Sequence, residues 1–196
     1  AMDNKVVELQ PEAYQLFAFY LFDETEIRMC RKEIQNQKLI CGIILVDNYE
    51  EALNSTEEVR RSLLSALVER KITKYMQNYD AIVNKMEKDK YMFVIRQKYL
   101  PILQSSKFSL LDEVREINIG NEMSVTMCIG LGVNAASYAQ ALDWARHAID
   151  LALGRGGDQA VVKEKDKISY YGGKTKQVEK STRVRARVKA HALRQV

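Results

Sequence analysis

Two aspartates stand where a metal could be held. Asp47 ends the aliphatic run "LICGIILV" (Leu39 to Val46), and Asp89 sits in the charged turn Glu87-Lys88-Asp89-Lys90 between two β-like runs, Ala81 to Val83 and Tyr91 to Ile95. If the end of a central strand and a hairpin tip lie side by side, the two carboxylates would pair on Mg²⁺, which prefers oxygen ligands and leaves its remaining positions to water and phosphate. Such a pair suits two-metal nucleotidyl transfer. The plainer reading is that Asp47 caps the following helix and Asp89 only fills a turn. The turn itself is unusual, because short hairpins draw on Asn-Gly or Asp-Gly for positive φ and this one has no glycine.

Other reactive residues carry less. "LGRGGDQ" (Leu153 to Gln159) has the look of a phosphate loop but follows a helix. Phosphate cradles use the opposite, N-terminal end, where free N–H groups point outward, so these glycines read as a helix stop. His147 lies on a strong helix near Asp143 and Asp150 with no nucleophile implied beside it, and reads as a surface or boundary residue. His191 has no visible partner. Cys30, Cys41 and Cys128 are far apart and odd in number, which argues against a zinc site or disulfide framework and for three buried, reduced thiols. No Ser-His-Asp or Walker-type constellation occurs.

The elements that must position these residues follow from periodicity. Tyr14 to Phe22 is nearly all apolar and reads as a buried strand, with a charged helix after it for which Asp23 and Thr25 are candidate caps. Leu39 to Val46 reads as a central strand covered on both faces. Ser55 and Glu58 have capping-box spacing, opening a helix with Val59, Leu63, Leu67 and Met76 near one face. The hairpin follows, then a helix over Ser109 to Glu116, extended back toward Tyr99 with a bend at Pro101. "MSVTMCIG" alternates, with Met123, Val125, Met127 and Ile129 on one side and Ser124, Thr126 and Cys128 on the other. Ser137 and Gln140 cap a helix with an apolar face of Tyr138, Leu142, Ala145, Ile149 and Ala152, ended by Gly154. Trp144 reads as core or partner surface, and "QAVVK" and "ISYY" as short closing strands.

From Leu39 the order β-α-β-β-α-β-α-β places two helical crossovers around a hairpin, the requirement of a ferredoxin-like α+β fold. The expected sheet is antiparallel, of about five strands, flanked by helices.

With 196 residues, 46% hydrophobic and 29% charged, the composition is that of a soluble globular domain with appendages. No run is long and apolar enough for a membrane span, and no signal peptide opens the chain. The net charge of +4 is uneven: residues 174–196 carry eight Lys or Arg against Glu179, leaving the rest acidic. A basic tail invites a nucleic-acid reading. Without aromatic residues among the charges it reads instead as a solvated helix. The chain reads as a piece of a larger protein, with any membrane anchor outside it.

Several strings resemble the GGDEF domain of diguanylate cyclases. "GIILVDNYEEALN" is similar to that family's first strand and turn, "VTMCIGLG" to a later strand, and "YAQALDWARHAIDLAL" with "GRGGDQAVV" to its last helix and exit, over about Leu39 to Gly173. The resemblance sets the signature on Glu87-Lys88-Asp89-Lys90-Tyr91. It implies that Glu87 and Lys88 stand in place of two glycines, that Asp89 keeps an acidic metal-ligand position, and that Lys90 replaces the next acid. On the first strand, Leu45-Val46-Asp47 matches Asp-x-Asp, so Leu45 occupies the position of the principal metal aspartate. Asn78 and Ala81 stand where an inhibitory Arg-x-x-Asp motif would be.

Losing a metal carboxylate and both glycines removes cyclase activity, since the metal supplies several kcal/mol at a phosphoryl-transfer transition state. "FYLFDETE" resembles the last strand of a PAS domain, and the degenerate hairpin with "KFSLLDEVREI" and the arginine-rich tail resembles the GdpP-type cyclic-di-AMP phosphodiesterases: membrane helices, PAS, degenerate GGDEF, DHH and DHHA1. The resemblance implies a PAS strand and linker over 1–38, a degenerate GGDEF domain over 39–173, and over 174–196 a helix leading to a DHH domain that this sequence does not include. It implies a cytoplasmic domain of a membrane-anchored bacterial protein, with its own PAS and DHH/DHHA1 domains as partners, homodimerisation, and no nucleic acid. The favoured function is a relay from PAS to hydrolase. The alternative is weak ATP binding or hydrolysis with Mg²⁺ at Asp47 and Asp89 and with Lys88 or Lys90 near the phosphates.

Overall fold

The computed structural model describes residues 20–172. The order is α1 (Thr25–Gln37), β1 (Leu39–Val46), α2 (Tyr49–Asn54), α3 (Glu58–Gln77), β2 (Ile82–Lys85), β3 (Lys90–Arg96), a 3₁₀ turn (Gln97–Tyr99), α4 (Leu100–Ser105), α5 (Leu110–Arg115), β4 (Met127–Gly132), α6 (Tyr138–Gly154), β5 (Gln159–Glu164) and β6 (Lys167–Gly172). The strands form one sheet in the order β2-β3-β1-β4-β5-β6. The β1–β3, β2–β3 and β1–β4 pairs are antiparallel. β1 and β2 are therefore parallel with β3 between them, joined by the α2–α3 crossover, which is the split βαβ arrangement the sequence predicts.

The α+β, ferredoxin-like class holds. Two details of the sheet go beyond the expectation of about five antiparallel strands. The α6 crossover makes β4 and β5 parallel, and the closing run pairs as β6 antiparallel to β5, giving six strands.

Both faces of the sheet are covered. On one, Ile40, Ile44, Tyr91, Phe93, Met127, Ile129 and Leu131 pack with Leu64, Val68 and Ile72 of α3 and Leu110, Leu111 and Val114 of α5. On the other, Ile43, Cys128 and Val161 pack with Ala145, Ala148, Ile149 and Ala152 of α6. α6 sits flat because β4 has no side chain beneath it at Gly130 and Gly132: a Cβ on Gly132 would stand 2.0 Å from the Ala141 carbonyl oxygen. Ser137 Oγ accepts from Gln140 N–H, and Gln140 Oε1 accepts from Ala136 N–H, the reciprocal cap that the sequence predicts.

Several local expectations are corrected. Ser55 and Glu58 do not form a capping box: Ser55 closes α2, donating its hydroxyl to the Ala52 carbonyl, and α3 begins with Glu57 as its cap residue. The buried stripe of α3 is Leu64, Val68, Ile72, Tyr75 and Met76, so Val59 and Leu63 face outward. The helix is rotated so that this stripe meets the sheet and Leu110, Leu111 and Val114 of α5. The bent helix over Tyr99 to Glu116 is two short helices separated by Lys107 and Phe108 at φ 53° and 57°, with Pro101 in the first turn of α4, where its missing N–H is harmless. β4 begins at Met127 rather than Met123. Of the run predicted as a strand, residues 20–22 are exposed and irregular and the remainder lies outside the described residues. The tail and His191 lie outside them too.

Candidate functional site

The signature turn is a four-residue loop, Met86 to Asp89, closed by Met86 N–H and Glu87 N–H on the Lys90 carbonyl. None of its residues has positive φ. That is why it needs no glycine.

The ladder register decides what those side chains meet. Leu45 lies opposite Lys90, and the pairing continues as Val46 N–H donates to the Asp89 carbonyl at 2.9 Å. Asp89 is thus held directly beside the end of β1, as the sequence predicts. Asp89 itself lies in the turn, one residue beyond the paired register, which ends at Leu45 and Lys90. Asp47 turns toward β4 and the α6 exit.

The carboxylate of Asp47 is a structural hub. Its Oδ1 accepts from the Thr126 hydroxyl. Its Oδ2 accepts from Asp158 N–H at 2.9 Å and from the Cys128 thiol at 3.6 Å. Asp47 N–H donates to the Thr126 carbonyl. Beside it, Asn48 donates to the Ser124 carbonyl and accepts from Thr126 N–H, each at 2.8 Å. The turn after β1 is therefore sewn to β4 and to the loop leaving α6. Burial, with the Asp47 charge next in effect, pushes the Cys128 thiol well above its ordinary range.

That loop completes the cluster. Gly156, Gly157 and Asp158 have φ of 108°, 78° and 56°, and Gly157 N–H returns to the Ala152 carbonyl at 3.0 Å, a helix stop as the sequence predicts. Asp158 is buried and paired with Arg115 of α5, whose Nη2 lies 2.9 Å from each carboxylate oxygen.

The lysines of the turn are paired with neighbours. Lys88 Nζ reaches Glu50 of α2, and this hydrogen bond is the main reason its pKa is raised. Lys90 Nζ lies 3.0 Å from Glu87. Both pairs are largely in water, which screens them, so they position the turn more than they stabilise it. Tyr91 is buried in the core with Lys85 Nζ 5.6 Å from its ring centre. Leu45 packs on the α6-side cluster. Among the described residues no group of three or more His, Cys, Asp or Glu gathers as metal ligands. With Asp47 committed to protein donors and Leu45 packed on the α6-side cluster, the side chains present do not fit a magnesium centre of the cyclase kind. A cleft of about 430 Å³, lined by Lys38, Leu39, Gln97, Asn134, Ser137 and Tyr138, lies at the far end of β1 from this turn.

Sequence reasoning missed Thr126, Cys128, Arg115, Asp158 and Glu50. The alternation of "VTMC" put Thr126 and Cys128 on one face and could have suggested a shared polar partner there. Nothing local pairs Arg115 with Asp158. The three cysteines are not all buried either: Cys41 and Cys128 are, but Cys30 is exposed on α1, a helix with no buried residue.

This architecture is that of a GGDEF domain. The active GGEEF domain of a diguanylate cyclase from Vibrio cholerae superposes with a TM-score of 0.54 at 12% identity, covering 69% of this chain and 89% of that one. At that identity the likeness shows the fold alone. The narrower assignment comes from sequence: residues 44–170 match the family described as "Cyclic-di-AMP phosphodiesterase GdpP-like, GGDEF domain", and the chain belongs to that family. It is 35% identical to the cyclic-di-AMP phosphodiesterase GdpP of Geobacillus thermodenitrificans, over 99% of this chain and 30% of that protein. It is 36% identical to that of Bacillus subtilis, over 90% of this chain and 27% of that protein. The chain thus spans less than a third of the curated relatives it matches. Among the described residues no helix is long and apolar enough to cross a membrane.

Proposed function

We propose that this domain is the regulatory, catalytically degenerate GGDEF module of a membrane-anchored cyclic-di-AMP phosphodiesterase, relaying a signal from a preceding PAS domain to a DHH/DHHA1 hydrolase. The observation that carries the reading is the fate of Asp47. A carboxylate placed to serve a metal instead ties β1 to β4 and to the α6 exit. With Leu45 packed and Glu87 and Lys88 in the glycine positions, the fold is kept without the cyclase chemistry, which suits a connector. The test is made in the longer protein that contains this segment: cyclic-di-AMP hydrolysis is measured after inserting one residue in α1, which turns everything before it by about 100°. A relay predicts changed turnover. Unaltered turnover would overturn the reading.

A second reading is weak ATP binding. Lys88 and Lys90 flank Asp89 on one exposed turn, and lysine serves phosphate as a point charge. The measurement is the melting shift with ATP, GTP and cyclic-di-AMP, each with and without Mg²⁺. A ligand at 100 times its Kd adds about 2.7 kcal/mol. An ATP shift abolished by Asp89→Ala supports this reading. The absence of any shift removes it.

A further inference from the structure

The cleft of about 430 Å³ at the far end of β1 has Lys38, Leu39, Gln97, Asn134, Ser137 and Tyr138 in its walls. Its volume is in the roughly 300–1,000 Å³ range of small-molecule sites. One wall is tied together: Gln97 N–H donates to the Lys38 carbonyl at 2.7 Å, and Gln97 Nε2 donates to Asn134 Oδ1 at 3.1 Å. Gln97 Oε1 is buried and has no hydrogen-bond partner. An acceptor of that kind calls for a donor from outside the chain. The other wall is the head of α6. Ser137 Oγ accepts from Gln140 N–H at 3.2 Å, which leaves its own hydroxyl proton to give. Tyr138 is the first residue of the helix, so its N–H has no intrahelical acceptor. Such a helix head favours an anion. Lys38 adds a full positive charge, and among the described residues it forms no ion pair. The neighbouring acid, Glu164, is held by Asn134 Nδ2 and is not part of the lining. Tyr138 is 65% exposed, so its ring offers an open face for stacking.

We propose that this cleft binds a nucleoside monophosphate, with the phosphate between Lys38 and the head of α6, the base on the Tyr138 ring, and a ribose hydroxyl supplying the donor that Gln97 Oε1 lacks. A phosphate monoester carries a charge of about −1.5 to −2 near neutrality and three strong acceptor oxygens, which suit one lysine, one helix head and the Ser137 hydroxyl together. An amino acid would set an ammonium group against Lys38. The cleft lies at the opposite end of β1 from Lys88 and Lys90, and the inference rests on neither the relay nor the ATP reading. A ligand there joins the residue that ends α1 to the first turn of α6.

The experiment titrates the whole chain with AMP, adenosine and inorganic phosphate and follows the backbone amides by NMR. AMP is expected to move the amides of Gln97, Gly132, Asn134 and Tyr138, which line the cleft, and to bind several-fold more tightly than adenosine or phosphate. Lys38→Glu should weaken AMP about tenfold, the loss of one charge-assisted contact. Tyr138→Ala should weaken it about fivefold, the loss of one stacked base. Both side chains are exposed, so both variants should keep the wild-type melting temperature, which separates a lost site from a lost fold. AMP that moves no amide at millimolar concentration overturns the proposal. Phosphate that binds as tightly as AMP overturns it too, because the nucleoside is then not recognised. Shifts confined to Met86 to Asp89 also overturn it and give the nucleotide to the turn, as the ATP reading requires. Failure at the cleft leaves that reading and the relay standing.

Discussion

A Cβ on Gly157 would lie 1.9 Å from Asp47 Oδ2, at a backbone φ of +78°. The glycine of the α6 exit and the carboxylate at the end of β1 are shaped to each other, and the exit loop closes only because that residue has no side chain. Gly157→Ala should therefore cost about 1–3 kcal/mol from strained backbone, with the displaced carboxylate adding to it. Gly154 has nothing within 4 Å of its missing Cβ and no positive φ. Gly154→Ala should stabilise by up to about 1 kcal/mol, since alanine is the better helix former. Urea denaturation of the two variants gives opposite signs if the loop is held as described.

Asp47 itself provides the next test. Asp47→Ala removes the acceptor shared by the Asp158 N–H and the Thr126 hydroxyl, and losing a buried hydrogen-bond partner costs about 1–3 kcal/mol. Asp47→Asn keeps an acceptor and should lose less. Both losses should be the same in Mg²⁺ and in EDTA. A magnesium-dependent difference between wild type and Asp47→Asn would return this carboxylate to metal binding.

The Arg115–Asp158 pair predicts a strong asymmetry. Arg115→Leu leaves a buried carboxylate without its cation and should cost about 3–5 kcal/mol. Asp158→Asn, which tolerates the left-handed backbone there, should recover much of that loss in the double variant, because no uncompensated charge remains. Additive losses in a double-mutant cycle would show that the pair is not coupled.

Alkaline pH should unfold the domain. Burial raises the Cys41 and Cys128 thiols above 9.0 and the Tyr91 hydroxyl above 10.0. Between each ordinary value and its raised folded value, the unfolded chain has released a proton that the native state keeps. Stability is then fully present below about pH 9 and falls as pH rises through the folded values. Urea midpoints should be level near neutrality and decline above about pH 9. A thiol reagent at pH 8 should find Cys30 alone in the native chain and all three cysteines in denaturant. Rapid native labelling of Cys128 would contradict its place against Asp47.

Much of the fold was legible because it is written in local pattern. The aliphatic run of β1, the alternation of β4, the Ser137 cap and the glycine stop after α6 each reflect a rule acting within a few residues. The α3 stripe was misplaced because Val59 and Leu63 fit helical spacing as well as Leu64 and Val68 do, and only packing against α5 chooses between them. The capping box at Ser55 failed similarly: α2 claimed that serine for its own end.

The sequence by itself determined most of the alternation of strands and helices, because periodicity is local, and its resemblance to GGDEF domains implies that Leu45 stands for a metal carboxylate and Glu87 and Lys88 for two glycines. Only the tertiary structure decided what Asp47 does. It is drawn to Thr126 and Cys128, and the fold carries Asp158 to it across a separation of 111 residues. Hydrogen bonds and ion pairs between distant segments depend on how the sheet and its loops close in three dimensions, and local spacing carries no record of that.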